Sequence, residues 1–296
     1  MSIAHEFEYQ KPKDLQAALK LVAAYGKKGR ILAGGTDLIG WIRDEMVTPE
    51  IVIDIKGIKD LAKISFENGG ISLGALVTFS DVIESRTVRE KFPLIWEAAR
   101  RVASVGIRNR ATLVGNICSA VPSCDAGPPL LVYEARMVVR GKGRERKIPM
   151  DEWFLGPRKT ALKDGEMAVA VWMPLPAKKH GACYVKLGRY RGEDLAQASV
   201  AVLALPKNRY RIAFGAVGPT PARGLKTEAA LQGMALSDEA LAAAKSAALK
   251  EIKPITDIRA TKEYRRHMIG VMLERGLKTA AGRLAGEGPA YGLDVI

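Results

Sequence analysis

Apolar positions along the chain follow two rhythms, one of about 3.6 residues and one of two. In residues 14–25, Leu15, Leu19 and Val22 share one helical face, and Gly26 and Gly29 mark where that helix ends. Residues 7–9 and 30–33 read as short strands on either side of it. Residues 38–45 then read as a helix and 51–55 as a strand. Strands alternating with helices of this length predict a mainly parallel sheet within the first 57 residues.

The pattern changes after that. Asn68-Gly69-Gly70 marks a turn, residues 71–73 and 137–139 carry strand signals, and residues 79–85 and 94–102 carry helical ones. Pro174-Leu175-Pro176 followed by Lys178-Lys179-His180 interrupts the periodicity and predicts a boundary. Beyond it, residues 182–187, 198–205 and 209–217 read as an antiparallel sheet. Residues 226–233, 237–250 and 261–284 read as helices. The expectation is an α+β chain in three parts, residues 1–57, 58–177 and 178–296.

Composition narrows the class. Apolar residues make up 48% and charged residues 26% of 296, the mix of a globular protein rather than a disordered or fibrous one. No apolar run approaches the length of a membrane span, and MSIAHEFEYQKPKD has neither a basic nor an apolar signal region. The three cysteines, Cys118, Cys124 and Cys183, cannot all pair with one another. A reducing cytoplasm is the expected setting.

The net charge of +14 favours an anionic partner. Nucleic acid is not expected, because the basic residues are dispersed and no zinc-finger spacing, RNP string or basic heptad array is present. The densest basic patch, residues 140–147 (RGKGRERK), reads as a solvated loop, with phosphate or partner docking as the alternative. Arg265-Arg266 reads either as a docking patch or as a solvent-facing helix stripe.

Common catalytic constellations are missing. Ser104 lacks the glycines of a nucleophile elbow, and no H-E-x-x-H surrounds His5, His180 or His267, which read as surface residues. Neither a Walker loop nor a G-x-G-x-x-G string occurs, and the cysteine spacing predicts no metal or iron–sulfur site in this chain. Two glycine-bearing segments remain, ILAGGTDLIG (31–40) and ATLVGNICSAVPSCD (111–125), each read as following a strand end. Amide groups in glycine turns, with Thr36 and Thr112 as hydroxyl donors, can cradle a pyrophosphate. The same features also describe an ordinary capped helix start.

Taken together, AGGTDL, RNRATLVGNI, Ser123-Cys124-Asp125 and Pro128-Pro129-Leu130-Leu131 resemble the two FAD signatures of the medium, flavin-carrying subunit of molybdenum hydroxylases, the xanthine dehydrogenase and carbon monoxide dehydrogenase family. FLGPRKTAL, GEMAVAVWMPLP, YVKLGRYRGEDLAQAS, RIAFGAVGPTPAR and DIRATKEYRRHMIGVMLERGL extend the resemblance over nearly the whole chain. It implies a PCMH-type FAD-binding fold of two α/β subdomains, followed by a C-terminal subdomain with a small antiparallel sheet and helices.

By the same resemblance, Ile31, Leu32, Ala33, Gly34, Gly35, Thr36, Asp37 and Leu38 wrap the FAD pyrophosphate and ribityl region. Thr112, Val114, Gly115, Asn116 and Asp125 continue the cradle, Ala168 lies against the cofactor and Lys186 lies near the flavin. Asn116 and Asp125 are expected to find polar partners on the cofactor rather than in the core, and Gly35 to need a positive φ. Val114 replaces a glycine of the usual T-x-G-G-N and Cys118 an apolar residue, which leaves the second loop's course open. No residue is expected to act as a catalytic acid or base. The resemblance implies partners, an iron–sulfur small subunit with [2Fe-2S] clusters and a molybdopterin large subunit, with NAD or another electron acceptor. A self-contained FAD oxidase of the same fold and a non-enzymatic anion-binding protein are the alternatives.

Overall fold

The computed structural model describes residue 3 and residues 5–141, 143–190 and 193–296. Lys142 of the basic patch, and Arg191 and Gly192 of the YVKLGRYRGEDLAQAS run, lie outside the described residues. The chain opens with β1 (Glu8–Gln10), α1 (Leu15–Tyr25), β2 (Gly29–Leu32), α2 (Leu38–Arg43) and β3 (Ile51–Asp54). The strands form an all-parallel sheet in the order β1-β3-β2. Buried on both faces, the central strand carries the continuous apolar run Ile51-Val52-Ile53. Asp14 caps α1 by accepting a bond from the Ala17 N–H at 2.8 Å.

A five-stranded sheet follows, built from β4 (Ile64–Glu67), β5 (Gly70–Gly74), β6 (Arg136–Gly141), β7 (Arg144–Pro149) and, arriving later in sequence, the strand of residues Met167–Pro174. Six helices lie between β5 and β6: α3 (Phe79–Glu84), α4 (Arg86–Lys91), α5 (Pro93–Arg100), α6 (Val105–Arg108), α7 (Leu113–Ser119) and α8 (Gly127–Val132). A short hairpin, β8 (Phe154–Gly156) and β9 (Lys159–Thr160), precedes the late strand, which is β10. It inserts centrally, antiparallel to both β5 and β6. Alternate buried side chains, Val171 and Met173, join Ile71, Leu73, Met137 and Val139 in the main core.

The basic patch at 140–147 is not a solvated loop: its described residues belong to the β6–β7 hairpin. Arg140 pairs with Glu145 at 2.8 Å across it, and Arg146 pairs with Glu166 at 2.6 Å. Among its described cations, Arg140, Arg144 and Lys147 are exposed and Arg146 is half-buried.

The last part contains β11 (Gly181–Leu187), β12 (Ala198–Leu205), β13 (Arg209–Gly215) and β14 (Ala222–Arg223), antiparallel and in that order. It continues with α9 (Leu225–Ala229), α10 (Asp238–Glu251) and the 24-residue α11 (Lys262–Ala285). α11 packs on β11 and β12, while α5 and α8 reach the sheet from the preceding part. Arg265 is neither a docking cation nor a solvent-facing one. It is 2% exposed and donates to the Gln197 carbonyl at 2.6 Å, the Ala216 carbonyl at 3.0 Å and Asp257 at 2.7 Å. Arg266 is half-buried. Among the described residues, no helix is long and apolar enough to cross a membrane.

Candidate functional site

A cleft of about 540 Å³ opens between the β2–α2 loop and the start of α7, within the size range of small-molecule sites. Both glycine-bearing segments line it. From the first come Ile31, Ala33, Gly34, Gly35, Thr36, Asp37 and Leu38; from the second come Thr112, Gly115, Asn116 and Asp125.

The loop after β2 is held close to the opposite wall. A Cβ on Gly34 would lie 2.0 Å from the Arg110 carbonyl oxygen, so the two backbones meet there and only glycine fits. Gly35 has φ +81°, as a turn of this tightness requires. Among the described residues, the N–H groups of Gly34, Gly35, Thr36, Asp37 and Leu38 have no protein acceptor. Such a run of unpartnered amides is an anion-binding concavity. Asp37 does not cap α2; its carboxylate accepts a bond from the Ser119 hydroxyl, tying the first loop to α7.

The second segment differs from expectation in its setting. It follows α6 and a single bridge between Thr78 and Thr112, not a strand. Thr112 is the N-cap of α7, accepting from the Gly115 N–H at 3.0 Å. Val114 sits in the first turn of α7, 2% exposed in the main core, so its side chain does not narrow the cleft. Asn116 lines the cleft and accepts a long bond of 3.4 Å from the Ala126 N–H.

Asp125 departs most from the reading that its partners lie on the cofactor. It is 6% exposed, and both its oxygens are engaged within the protein: the Tyr184 hydroxyl donates to one and the Lys186 ammonium to the other, each at 2.8 Å. Lys186 also donates to the Arg101 carbonyl at 2.8 Å. Burial pushes the Asp125 carboxyl up, against the pull of Lys186. Lys186 lines a second cavity of about 380 Å³ that adjoins the cleft through Ala103, Ser104, Glu193 and Asp194. Leu32 packs instead beside Leu38, Ile42 and Val52, and Ala168 is buried on β10 at a register shift, neither lining the cleft.

Several lining residues carried no signal that spacing could reveal. Val102, Ala103 and Ser104 form a wall held by Arg108, which donates to the Val102 carbonyl at 2.8 Å and the Ala103 carbonyl at 2.5 Å. Trp41 lies below the Arg158 guanidinium, 5.4 Å from its ring centre. Glu193, Asp194 and Leu195 approach from the loop after β11. Burial raises the Asp194 carboxyl, but bonds from the Arg189 and Leu195 N–H groups outweigh this and hold it below the usual carboxylate range. Ser123 borders the cleft with a buried hydroxyl that has no partner among the described residues.

Nucleophilic or metal chemistry has no basis in this lining. Burial pushes the cleft thiols Cys118 and Cys124 up to about 12, so both stay protonated. None of the three histidines reaches the cleft: His5 and His180 are half-buried, bonded to the Pro49 and Ala177 carbonyls, and His267 is exposed. No group of acidic, histidine or cysteine side chains among the described residues could hold a metal ion. What the cleft offers is free backbone amides, hydroxyls, close glycine approaches and an apolar wall, a set that suits a dinucleotide such as FAD.

Known proteins agree. Residues 5–176 match the family described as FAD binding domain in molybdopterin dehydrogenase, and residues 182–280 match the CO dehydrogenase flavoprotein C-terminal domain. The carbon monoxide dehydrogenase medium chain of Hydrogenophaga pseudoflava is 34% identical over 96% of this chain and 100% of its own length. The xanthine dehydrogenase FAD-binding subunit of Escherichia coli O157:H7 is 29% identical, over 94% of this chain and 97% of its own. The solved structure of the Hydrogenophaga pseudoflava carbon monoxide dehydrogenase lacking the Mo-pyranopterin moiety superposes with a TM-score of 0.91 at 35% identity, over 96% of this chain and 99% of that one. The chain therefore belongs to the molybdenum hydroxylase family as an FAD-binding medium subunit, an oxidoreductase component.

Proposed function

We propose that this chain carries FAD as the electron-transfer subunit of a molybdenum-dependent hydroxylase or dehydrogenase, receiving electrons from iron–sulfur clusters on a partner and delivering them to NAD or another acceptor. The observation that carries this reading is the run of unpartnered amides from Gly34 to Leu38 lining a cleft opposite Gly115 and Asn116. Those amides would hold the pyrophosphate, with Thr36, Asn116 and Ser123 offering side-chain bonds to the sugar and ribityl hydroxyls. Residues 1–57 and 58–177 would supply the two walls as separate subdomains, and residues 178–296 would close one side. When bound, FAD supplies the capacity to exchange electrons singly and in pairs, while the protein contributes binding, orientation and electrostatics.

In the cavity beside the cleft, Lys186 is paired with Asp125, Arg101 with Asp294 at 2.6 Å and Arg189 with Asp194 at 3.7 Å, so the cations Arg100 and Arg108, beside Glu193, are the ones this lining would turn toward an anionic cofactor. Partners follow from what the chain lacks. Its three cysteines are free and scattered, too few for a cluster that takes four. The clusters and the molybdopterin would reside on a small and a large subunit.

The test is purification of the chain alone and with its genomic neighbours. The reading expects a yellow complex with one flavin per copy of this chain, dehydrogenase activity only in the complex, and reduction of NAD or a dye at the flavin. Full substrate turnover by the isolated chain would overturn it.

A further inference from the structure

Three carboxylates are fully buried in the first 176 residues, and one is satisfied locally: Asp54 accepts bonds from Tyr9 and Lys56 of its own subdomain. The other two, Glu97 on α5 and Asp125 after α7, are 5% and 6% exposed. Among the described residues, every donor that reaches them comes from the C-terminal part. Glu97 accepts from the Tyr184 N–H at 3.0 Å, the Gly292 N–H at 2.9 Å and the Arg283 guanidinium at 2.9 Å. Asp125 accepts from the Tyr184 hydroxyl and the Lys186 ammonium. Tyr184 thus spans both carboxylates, its backbone on one and its phenol on the other.

Of the two, Asp125 lines the cleft and Glu97 does not. Burial pushes both carboxyls up despite the cations beside them, so these pairs are not a strong source of stability. What they supply is geometry. A C-terminal sheet displaced from this position would leave two buried carboxylates without donors, one of them in the wall of the cleft.

We propose that Glu97 and Asp125 are positioning residues that latch the C-terminal sheet, through Tyr184, onto the FAD-binding half, so that docking of that sheet sets the 120–126 wall and governs flavin retention. The inference rests on the cleft being the FAD site. It assigns the C-terminal sheet an indirect part in holding the cofactor, exerted through the 120–126 wall, since β11 offers only Lys186 and Leu187, and those to the neighbouring cavity.

The experiment compares the assembled complex carrying wild-type chain, Glu97→Gln or Tyr184→Phe, by flavin release rate and by amide hydrogen exchange. Tyr184→Phe keeps the ring and the backbone bond to Glu97, so it tests the latch even if Glu97→Gln folds poorly. Loss of one bond to a buried charge predicts flavin release about tenfold faster in each variant. Exchange should rise together in residues 181–187 and 120–126, and flavin should slow exchange in residues 181–187 of the wild type. Unchanged flavin release with faster exchange in residues 181–187 would overturn the latch and leave the FAD reading intact. A wild-type complex without flavin would overturn both.

Discussion

Gly34→Ala is the substitution that most directly tests how the cleft is built. The added Cβ would lie 2.0 Å from the Arg110 carbonyl oxygen, 2.7 Å from the Arg110 carbonyl carbon and 3.0 Å from the Ala111 Cα, all backbone atoms. A carbon and a carbonyl oxygen rest at about 3.3 Å, so the β2–α2 loop and the segment before α7 must separate by roughly 1.3 Å. Neither side can escape by changing a rotamer. Overpacking of this kind costs about 1 to 3 kcal/mol, and the displacement falls on the two walls that face each other across the cleft. Gly40→Ala, in α2 with nothing within 4 Å of the new Cβ, is the control and should stabilise the helix by up to about 1 kcal/mol. Urea unfolding gives the stability change, and flavin content after gel filtration gives the binding change. The expected result is a folded Gly34→Ala chain, destabilised by about 2 kcal/mol and depleted in flavin, beside a Gly40→Ala chain with full flavin. A Gly34→Ala chain as stable as wild type and fully flavinated would refute the packing argument.

Ser123→Ala should be neutral or slightly stabilising in the flavin-free protein, because it deletes a buried hydroxyl without a partner, yet should weaken FAD binding by about 1 kcal/mol if that hydroxyl bonds the cofactor; calorimetric melts with and without FAD separate the two effects. Arg265→Met should cost about 3 kcal/mol, since it strips the Gln197 and Ala216 carbonyls and Asp257 of their buried donor, whereas Arg266→Ala should change urea stability by less than about 0.5 kcal/mol. Acid sensitivity should follow Asp257 and Glu274. Burial raises Asp257, but bonds from the Arg259 and Ala260 N–H groups and the charge of Arg265 hold it at about 2; bonds from Lys245 and Lys278 hold Glu274 at about 2. Both are depressed in the folded state, so their contribution is present above the unfolded values of 3.8 and 4.5 and is lost as the pH falls toward 2. Asp257→Asn should flatten that part of the profile of urea midpoint against pH.

The sequence alone determined the elements whose signals are local. The 3.6-residue rhythm of residues 14–25 and the β-rich runs at 51–55, 182–187, 198–205 and 209–217 correspond to α1, β3, β11, β12 and β13, with the last strand ending at Gly215, because side-chain periodicity and short apolar runs follow directly from backbone geometry. The first glycine loop was legible for the same reason, since Gly34 and Gly35 meet demands of close approach and positive φ that few other residues can meet, whereas the setting of the second, after α6 rather than a strand, was not. Tertiary structure decided the rest. Strand β10 sits at the centre of a sheet whose other members precede it by up to about a hundred residues, and a continuous apolar run does not state its neighbours. Arg265 looked like surface charge until α11 packed against the sheet and turned it onto two carbonyls and Asp257. Asp125 lines the cleft as the resemblance implies, but its protein donors, Tyr184 and Lys186, lie 59 and 61 residues further along the chain. A carboxylate accepts a bond from whichever donor the fold brings within about 3 Å, and that choice is made by the packing of distant segments, not by spacing along the chain.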